Sequence, residues 1–449
     1  MSELSNIAII GGGLAGCECA RKLSRAGVAV TIFEMKPEKY SPAHSYEGLA
    51  ELVCSNSFRS DQPDAAVGVL KQEMRELDSL VLEAAEATHV PAGKALAVNR
   101  ELFSDYITKA INEDENITLV HKEITSLEAE ELADFDAVVL AAGPLASDAL
   151  SESLAKAVDA THLYFYDAIA PIIAADSINM DIAFWGSRYN PDDDDYLNCA
   201  LNEEEYHALR EALIAGEKAP TKDFEKEIHF EGCMPIEALA ERGEMTLAFG
   251  SFKPVGFTDP RTGERPFALV QLRTENLNKS MFNLVGCQTK LKYKEQDRIF
   301  RMIPGLENAE FIRYGSVHRN TYVNAPKTLT NELALKTHPK IYLAGQITGV
   351  EGYVESAACG LWVGTLLAAK AKQLPLAEPP AESCLGGLLT HLRTEQKNFQ
   401  PANVQFGLTP ALNRKARKKN RKALYAQRAR EAFTAWFEEQ KKTLEDCCL

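Results

Sequence analysis

The sequence predicts an α/β protein whose main body is a parallel, nucleotide-binding sheet. Three observations predict it: a glycine-rich strand–turn–helix unit near the start of the chain, and two later buried strands that each run into glycine. The chain has 449 residues, enough for about three domains, or two if one is built from split segments. Hydrophobic residues make up 45% and charged residues 25%, which excludes a disordered chain, a collagen and a coiled coil.

The first element is a βαβ unit. Ile7–Ile10 is typical of a buried strand, Gly11-Gly12-Gly13-Leu14-Ala15-Gly16 turns into a helix over Leu14–Arg25, and Val28–Phe33 forms the next strand, with Glu34 at its end. The glycines permit a tight turn and let the backbone approach a pyrophosphate at the helix N-terminus. Glu34 is placed to accept hydrogen bonds from ribose and disfavours a 2′-phosphate, so FAD or NAD is preferred over NADP. A plain tight turn without a ligand is the alternative.

Two later segments favour FAD over NAD. The strand Phe135–Leu140 continues into Ala141-Ala142-Gly143 and resembles the second glycine strand of two-dinucleotide-fold flavoproteins. The strand Ile341–Ala344, followed by Gly345-Gln346 and a helix over Val354–Lys372, resembles their C-terminal flavin motif. That motif usually reads Gly-Asp, so Gln346 fits the ordinary disulfide-reductase and monooxygenase families poorly. The sequence therefore predicts a Rossmann-type, FAD-binding fold.

The remaining segments complete the predicted domain organisation. Residues 36–64 are predicted to be loop-rich, and the apolar residues from Val67 to Ala84 recur at the spacing of one long amphipathic helix. From Asp159 to Asn331 short, aromatic-rich strands predict an inserted, smaller α+β domain. We expect a FAD-binding domain in two parts, residues 1–158 and 332–374. The inserted domain is expected at 159–331, and a helical basic C-terminal region at 375–449.

The C-terminal region is basic although the chain is acidic. The formal net charge is −15, from 49 basic and 64 acidic residues, yet Arg414–Arg430 holds nine lysines and arginines and no acidic residue. The basic run continues into apolar residues at helical spacing, so we expect one face to dock and the other to present charge; these residues are Leu424, Ala429, Phe433, Trp436 and Phe437. Such a run can neutralise phosphates. A solvated helix that balances the acidic body is the alternative.

Two of the ten cysteines stand in unusual contexts. Cys54 lies in Val-Cys-Ser-Asn and Cys233 in Gly-Cys-Met-Pro, whereas an isolated cysteine is more often a small buried hydrophobe. Cys17, Cys19 and Cys359 lie on glycine-rich helices and are expected to pack. No CxxC pair is present, and the histidines lack the spacing of metal ligands, so no metal site is predicted; the histidines considered are His44, His89, His229 and His318.

The start of the chain shows no basic region followed by a cleavage site, which argues against an export signal. The longest apolar run, Ala357–Ala369, has 13 residues and is too short to span a bilayer. We therefore expect a cytoplasmic protein with reduced thiols and no membrane partner.

Motifs along nearly the whole chain resemble one family, the folate- and FAD-dependent tRNA (uracil-5-)-methyltransferases of bacteria. The matching segments are Gly11–Gly16, Ala43-His44, Glu51–Ser57, Phe230–Glu237, Tyr314–Tyr322, Gly345–Tyr353, and Phe399–Gly407 with the basic tail. The segments around Cys54 and Cys233 are the most specific. A sister flavoprotein family that modifies the wobble uridine shares some of these elements, but its members carry a large additional C-terminal helical domain for which we expect no room after Pro380.

The resemblance implies methylation of C5 of uridine 54 in the T-loop of tRNA. The methylene comes from 5,10-methylenetetrahydrofolate and is reduced by FADH2, which NAD(P)H regenerates. Uracil C5 becomes a nucleophile only after a group adds at C6, a step that suits a thiolate, and a base then removes the C5 proton. By resemblance Cys233 is the nucleophile and Cys54 the base or its partner, and exchanged roles are the alternative. The Tyr314–Tyr322 segment is a candidate for folate contacts, because its aromatic and amide side chains suit a pterin.

Four other functions would share parts of this sequence. The same chemistry on a ribosomal RNA uridine would use a similar core, and a wobble-uridine-modifying flavoprotein would share the nucleotide motifs. A plain flavin oxidoreductase would need neither Cys54 nor Cys233 and no basic tail. A non-catalytic, flavin-bearing tRNA-binding protein would be favoured by loss of one of these cysteines, but both are present.

Overall fold

The structure is a computed structural model that describes residues 4–158, 163–187, 195–219, 234–397, 399–413 and 417–449. Its strands are β1 (Asn6–Ile10), β2 (Ala29–Glu34), β3 (Ser57–Ser60), β4 (His89–Val90), β5 (Ala95–Val98), β6 (Ile117–His121), β7 (Ala137–Leu140), β8 (Leu163–Ile169), β9 (Ile172–Ala174), β10 (Phe184–Trp185), β11 (Tyr196–Leu201), β12 (Ala268–Thr274), β13 (Met281–Leu284), β14 (Phe311–Arg313), β15 (Ser316–Tyr322) and β16 (Ile341–Leu343). Its helices are α1 (Leu14–Arg25), α2 (Ala66–Glu76), α3 (Leu80–Ala87), α4 (Arg100–Asn112), α5 (Asp148–Val158), α6 (Glu203–Ala215), α7 (Ile236–Glu241), α8 (Thr246–Phe249), α9 (Tyr293–Phe300), α10 (Ala325–Thr328), α11 (Tyr353–Ala371), α12 (Cys384–Arg393) and α13 (Lys418–Cys447).

The main sheet has five parallel strands in the order β16-β7-β1-β2-β6. Four of them lie where the sequence predicts strands, and α1 has the predicted bounds. Because all five strands run in the same direction, their carboxyl ends meet at one edge, where ligands of doubly wound sheets bind. This edge brings together the turns that begin at Gly11, Gly143 and Gly345.

Helices α1 and α11 pack against each other at close range beside this sheet. A Cβ on Gly360 would lie 2.2 Å from the carbonyl oxygen of Ala15, and a Cβ on Gly364 would lie 2.8 Å from the Cα of Cys19. Glycine at these two positions therefore lets the backbones approach. Cys17, Cys19 and Cys359 are buried in this contact, as expected for packing residues.

The predicted single helix from Val67 to Ala84 is wrong. The structure has two helices, α2 and α3, separated by Asp78, whose φ of +56° lies in the left-handed region and cannot continue a helix. Ser79 caps α3 by accepting a hydrogen bond from the Leu82 N–H, and the buried Glu18 accepts from the N–H groups of Leu80 and Val81. Serine is a preferred N-cap residue, so Ser79 was a signal in the sequence for the start of a second helix.

A second body is built on six antiparallel strands in the order β10-β11-β12-β13-β9-β14, with its own hydrophobic core. The paired strands β8 and β15 connect it with the main sheet, because the N–H of Thr321 donates to Pro144 and that of Val323 to Ile347. This body occupies the region predicted as an inserted α+β domain. The exact division of the chain into domains stays a prediction.

The C-terminal region is helical, as predicted, and packs on the main body. Ser383 caps the start of helix α12, and the buried Glu73 accepts the N–H groups of Cys384 and Leu385 at 2.8 and 2.7 Å. In α13, Trp436 packs edge-on against Trp362 of α11. Among the described residues, every helix is too short or too polar to cross a bilayer.

Candidate active site

The turn between β1 and α1 forms one end of a pocket at the carboxyl edge of the parallel sheet. Gly11 has a φ of +106°, and a Cβ there would lie 2.6 Å from the carbonyl oxygen of Ala141. A Cβ on Gly16 would lie 2.0 Å from the carbonyl oxygen of Gly11. The turn itself therefore requires glycine at both positions, with or without a ligand.

Gly13 differs from these two glycines because it has space beside it. The nearest atom to a Cβ built there is the carbonyl oxygen of Ala141, at 4.0 Å. Gly13 is the N-cap residue of α1, and no side chain in the described part of the protein caps this end. The first N–H groups of a helix lack intrahelical partners and carry partial positive charge. This end of the pocket therefore fits a pyrophosphate.

The far side of the pocket is formed by the glycines that follow β7 and β16. Gly143 has a φ of +65°, and no atom of the described residues lies within 4 Å of its Cβ position. Gly345 has a φ of +83° and faces the Cβ of Ala15. Nine of the ten residues predicted to bind the cofactor line this pocket, which we call the glycine pocket. The exception is Gly16, which packs inside the turn.

Glu34 is fixed by two backbone hydrogen bonds. Its Oε2 accepts the Gly12 N–H at 2.8 Å and its Oε1 accepts the Lys36 N–H at 3.0 Å. A carboxylate has about four acceptor positions, so each oxygen keeps one for another donor. Glu34 lines the glycine pocket, where this arrangement suits ribose hydroxyls.

Gln346 also lines the glycine pocket, in the place where related motifs carry aspartate. Its Nε2 donates to the Oε2 of the buried Glu351 at 2.5 Å. Asn403 in turn donates to the Glu351 carbonyl at 2.6 Å, and the Glu351 N–H donates to Ala402. Two motifs far apart in the sequence, around Gly345–Tyr353 and Phe399–Gly407, thus form one structure. Sequence reasoning missed Glu351 and Asn403.

Cys54 lies in a loop that α11 holds in place beside the glycine pocket. The Tyr353 hydroxyl oxygen accepts the N–H of Cys54 at 2.6 Å and that of Ser55 at 3.2 Å. Arg59, in the strand β3 that follows the loop, makes an ion pair with the buried Glu355. Cys54 is half-buried, and the preceding Val53 lines the pocket. Burial raises the pKa of Tyr353 above its usual value, so its phenol is neutral at physiological pH.

Three arginines surround Cys54 closely enough to interact with it electrostatically: Arg100, Arg273 and Arg313. Arg100 binds both oxygens of the buried Glu275, at 2.5 and 3.2 Å, and donates to the Leu52 carbonyl at 2.6 Å. Arg273 donates to Asn56 at 2.8 Å. The six-stranded sheet, which carries Arg273 and Arg313, is thereby attached to the Cys54 loop. Sequence reasoning missed these arginines.

A second pocket adjoins the glycine pocket and shares His44 and Glu51 with it. We call it the arginine pocket, because Arg100 and Arg313 line it together with Tyr293 and Tyr314. His44 Nδ1 lies 2.5 Å from the Ser41 hydroxyl, and burial lowers the pKa of His44. A neutral imidazole therefore stands between the two pockets. Tyr314 and Ser316, from the segment predicted to contact folate, line the arginine pocket.

Cys233 lies outside the described residues, so the structure does not test its position relative to Cys54. The end of its motif is described: Glu237 is fully buried and accepts the Thr289 hydroxyl at 2.9 Å and the Lys290 N–H at 2.8 Å. Burial raises the pKa of Glu237. Among the described residues, no cluster of histidine, cysteine, aspartate and glutamate is arranged to hold a metal ion; His229 is outside them.

The basic segment opens α13, although Arg414, Lys415 and Ala416 are outside the described residues. Ala429, Phe433 and Trp436 are buried, whereas Arg417, Arg421 and Lys422 are exposed, so the predicted docking and charged faces both exist. Two of the nine cations serve the fold instead. Arg428 donates to the carbonyls of Pro410 and Ala411, and Arg430 to that of Pro63.

Comparisons with known proteins agree with this geometry. The family model described as Glucose inhibited division protein A matches residues 6–375. The chain is 71% identical over 437 residues to the methylenetetrahydrofolate–tRNA-(uracil-5-)-methyltransferase TrmFO of Oleidesulfovibrio alaskensis. This match covers 97% of this chain and 98% of the relative. The chain belongs to the TrmFO family. A TrmFO relative from Lawsonia intracellularis is 58% identical, with 97% of this chain and 98% of that protein covered.

Membership of the TrmFO family confirms the resemblance read from the motifs and makes this chain a methyltransferase. Among solved structures, GidA from Aquifex aeolicus, in its form II crystal, matches with a TM-score of 0.67 at 17% identity. The match covers 98% of the TrmFO-family chain and 75% of GidA. At this identity the likeness concerns the fold alone, and it confirms the predicted Rossmann-type α/β fold class.

Proposed function

We propose that this enzyme methylates C5 of uridine 54 in the T-loop of tRNA. The methylene group comes from 5,10-methylenetetrahydrofolate, and NAD(P)H regenerates the reduced FAD. The observation that carries the proposal is the whole-length relationship to TrmFO proteins, at 71% identity over 97% of the chain. Folate and a tRNA uracil are the substrates in the names of those relatives.

The glycine pocket supports FAD as the cofactor, because the residues present fit it. A side chain would fill the space beside Gly13, and Gly143 leaves open space at the other side of the pocket. We assign the diphosphate to the N–H groups of Gly13, Leu14 and Ala15, the ribose to Glu34, and the flavin end to Gly143, Gly345 and Gln346. Bound there, reduced FAD supplies the two electrons that turn a methylene into a methyl group.

The two cysteines are proposed to activate the uracil. Cys233 adds through its thiolate to C6, which makes C5 nucleophilic, and Cys54 removes the C5 proton or assists the group that does so. The Tyr353 hydroxyl and the Arg59–Glu355 pair hold the Cys54 loop at the border of both pockets. This position between a cofactor pocket and a cation-lined pocket supports a role at the reacting base.

Transcribed tRNA, which carries no modifications, provides the test. It is incubated with the enzyme, NAD(P)H and 5,10-methylenetetrahydrofolate labelled with deuterium in the methylene group, and its nucleosides are then analysed by mass spectrometry. We expect labelled 5-methyluridine at position 54, and none when folate is omitted. A matched tRNA with cytidine at position 54 should stay unlabelled. Label in the anticodon loop, or only in ribosomal RNA offered in parallel, would contradict the proposed target.

A further inference from the structure

A stack of three aromatic rings leads from the arginine pocket to the protein surface. The ring of Tyr293, the first residue of α9, stacks on that of Tyr314 with 4.6 Å between centroids and 17° between planes. Tyr314 stacks in turn on Phe311, at 5.1 Å and 12°. Tyr293 is 59% exposed although its ring stacks on Tyr314, so much of this residue is open to solvent.

The rings of Tyr314 and Phe311 are held by polar neighbours, and the ring of Tyr293 rests on that of Tyr314. The Tyr314 hydroxyl binds Asp297, with 3.1 and 3.2 Å to the two carboxylate oxygens. The Arg301 guanidinium lies 5.9 Å from the centre of the Phe311 ring and donates to the Ala309 carbonyl at 2.9 Å. An exposed ring that is already fixed loses little conformational entropy when a flat ligand stacks on it.

Tyr293 stands between two openings. On one side it lines the arginine pocket, and on the other it lines a surface cleft together with three lysines, Lys290, Lys292 and Lys294. The two glutamates of this cleft each make a salt bridge with a cation, Glu217 with Lys292 and Glu295 with Arg298. The acidic side chains of the cleft are therefore matched by cations, and the exposed Lys294 adds positive charge.

We propose that Tyr293 is a stacking platform for an unpaired base of the tRNA, other than the uracil that is methylated. This inference rests on the proposed function. Proteins that recognise RNA loops stack splayed bases on aromatic rings and hold the neighbouring phosphates with cations, and both elements are present here. A base drawn from its stack to react in a pocket also leaves its neighbour without a partner. The arginine pocket and the lysine-lined cleft share Tyr293 and Ser316, so the two openings adjoin, and a site of this combined extent fits a polymer rather than a single small molecule.

The test uses the full-length enzyme with FAD bound. Tyr293→Ala should weaken tRNA binding roughly 5- to 150-fold, which corresponds to the stacking energy of one base on an aromatic ring. Tyr293→Phe and Tyr293→Trp keep a ring and should bind tRNA like the wild type. FAD content should not change in Tyr293→Ala, because Tyr293 does not line the glycine pocket. The slope of log K against log salt should also be unchanged, because no charge is removed.

Three outcomes separate this inference from the proposed function. If the wild-type enzyme methylates tRNA and Tyr293→Ala binds it with the same Kd, the platform is refuted and the proposed function stands. If Tyr293→Ala raises only the KM for NAD(P)H or folate, the ring holds an adenine or a pterin, and the RNA assignment is overturned. If the wild-type enzyme transfers no methyl group but tRNA binding weakens in Tyr293→Ala and not in Tyr293→Phe, the platform is supported and the proposed function fails.

Discussion

The glycine pocket and the arginine pocket adjoin each other but are built in opposite ways. The glycine pocket is built around three glycine turns at one edge of a single parallel sheet. The arginine pocket is made of long side chains from distant segments, such as Arg100, whose partner Glu275 lies 175 residues away. The first is thus set by local chain geometry, whereas the second exists only because two sheets dock.

This difference shows where substitutions should act on binding and where on catalysis. At the α1 end of the glycine pocket an added side chain blocks the ligand, because backbone atoms of the turn form the wall there and cannot move aside. At the border between the pockets, the Cys54 loop is positioned by hydrogen bonds from α11 and the six-stranded sheet, so removal of one of them should change rate more than binding. Four substitution experiments test this contrast, from the largest expected effect to the smallest.

The cysteines should show the largest effect. Cys54→Ala should lower methyl transfer by about 10²- to 10⁴-fold, the usual contribution of a positioned base. Cys233→Ala should lower it at least as much, because no other group is assigned to activate C5. Both variants should still bind FAD and tRNA. The measurement is the rate of labelled methyl incorporation into tRNA, and Cys287→Ala, a buried thiol that lines neither pocket, is the matched control.

A tRNA with 5-fluorouridine at position 54 assigns the two roles. Its C5 carries no removable proton, so the wild-type enzyme should be trapped as a covalent RNA adduct. The adduct should disappear in Cys233→Ala and persist in Cys54→Ala. The reverse pattern would exchange the roles, and normal methylation by both alanine variants would reduce these cysteines to packing residues.

Gly13→Val should release FAD while the protein stays folded. Its side chain enters open space beside the α1 N-terminus, 4.0 Å or more from protein atoms at Cβ, and so occupies the place assigned to the diphosphate. We expect bound FAD, measured by absorbance after gel filtration, to fall by more than about tenfold, since several hydrogen bonds to an anion are removed together. Gly407→Val is the matched control, because its nearest neighbour is 3.8 Å away and outside the pocket. Stoichiometric FAD in Gly13→Val would refute the assigned site.

Tyr353→Phe should slow catalysis with FAD still bound. The variant keeps the ring but removes the oxygen that accepts the N–H groups of Cys54 and Ser55. We expect kcat to fall by about tenfold, because small displacements of a reacting group have effects of this order or larger. Tyr425→Phe serves as the control, because the Tyr425 ring stacks on Phe406 and neither residue lines the two pockets. A normal kcat in Tyr353→Phe would mean that other contacts fix the Cys54 loop.

The basic helix should give the smallest effect. Replacing Arg417, Arg421 and Lys422 by glutamine should weaken tRNA binding several-fold and flatten the slope of log K against log salt by about 0.9 for each phosphate that is no longer neutralised. Flavin reduction by NAD(P)H should not change. Arg428→Gln removes a cation that binds backbone carbonyls, so it should lower thermal stability and leave the salt slope nearly unchanged. Unchanged tRNA affinity in the triple variant would leave α13 as a solvated helix.

The sequence by itself determined the βαβ unit, the strands at Leu140 and Leu343, and the three glycine turns of the glycine pocket together with Glu34. These features are local, since a glycine with positive φ, an apolar strand and a helix start lie within a few residues of one another. The wrong prediction of one helix over Val67–Ala84 also has a local cause. The apolar spacing continues through Asp78 and Ser79, so it suggests one helix even though Ser79 is a residue that caps a new one.

Only the tertiary structure decided what surrounds Cys54 and where the aromatic stack leads. The Tyr353 hydroxyl reaches Cys54 across 299 residues of sequence, and Arg273 reaches Asn56 across 217. Nothing near Cys54 in the chain indicates these partners. The physical reason is that side-chain contacts between distant segments depend on how the two sheets dock, and docking is set by the summed burial of many apolar residues rather than by any short pattern.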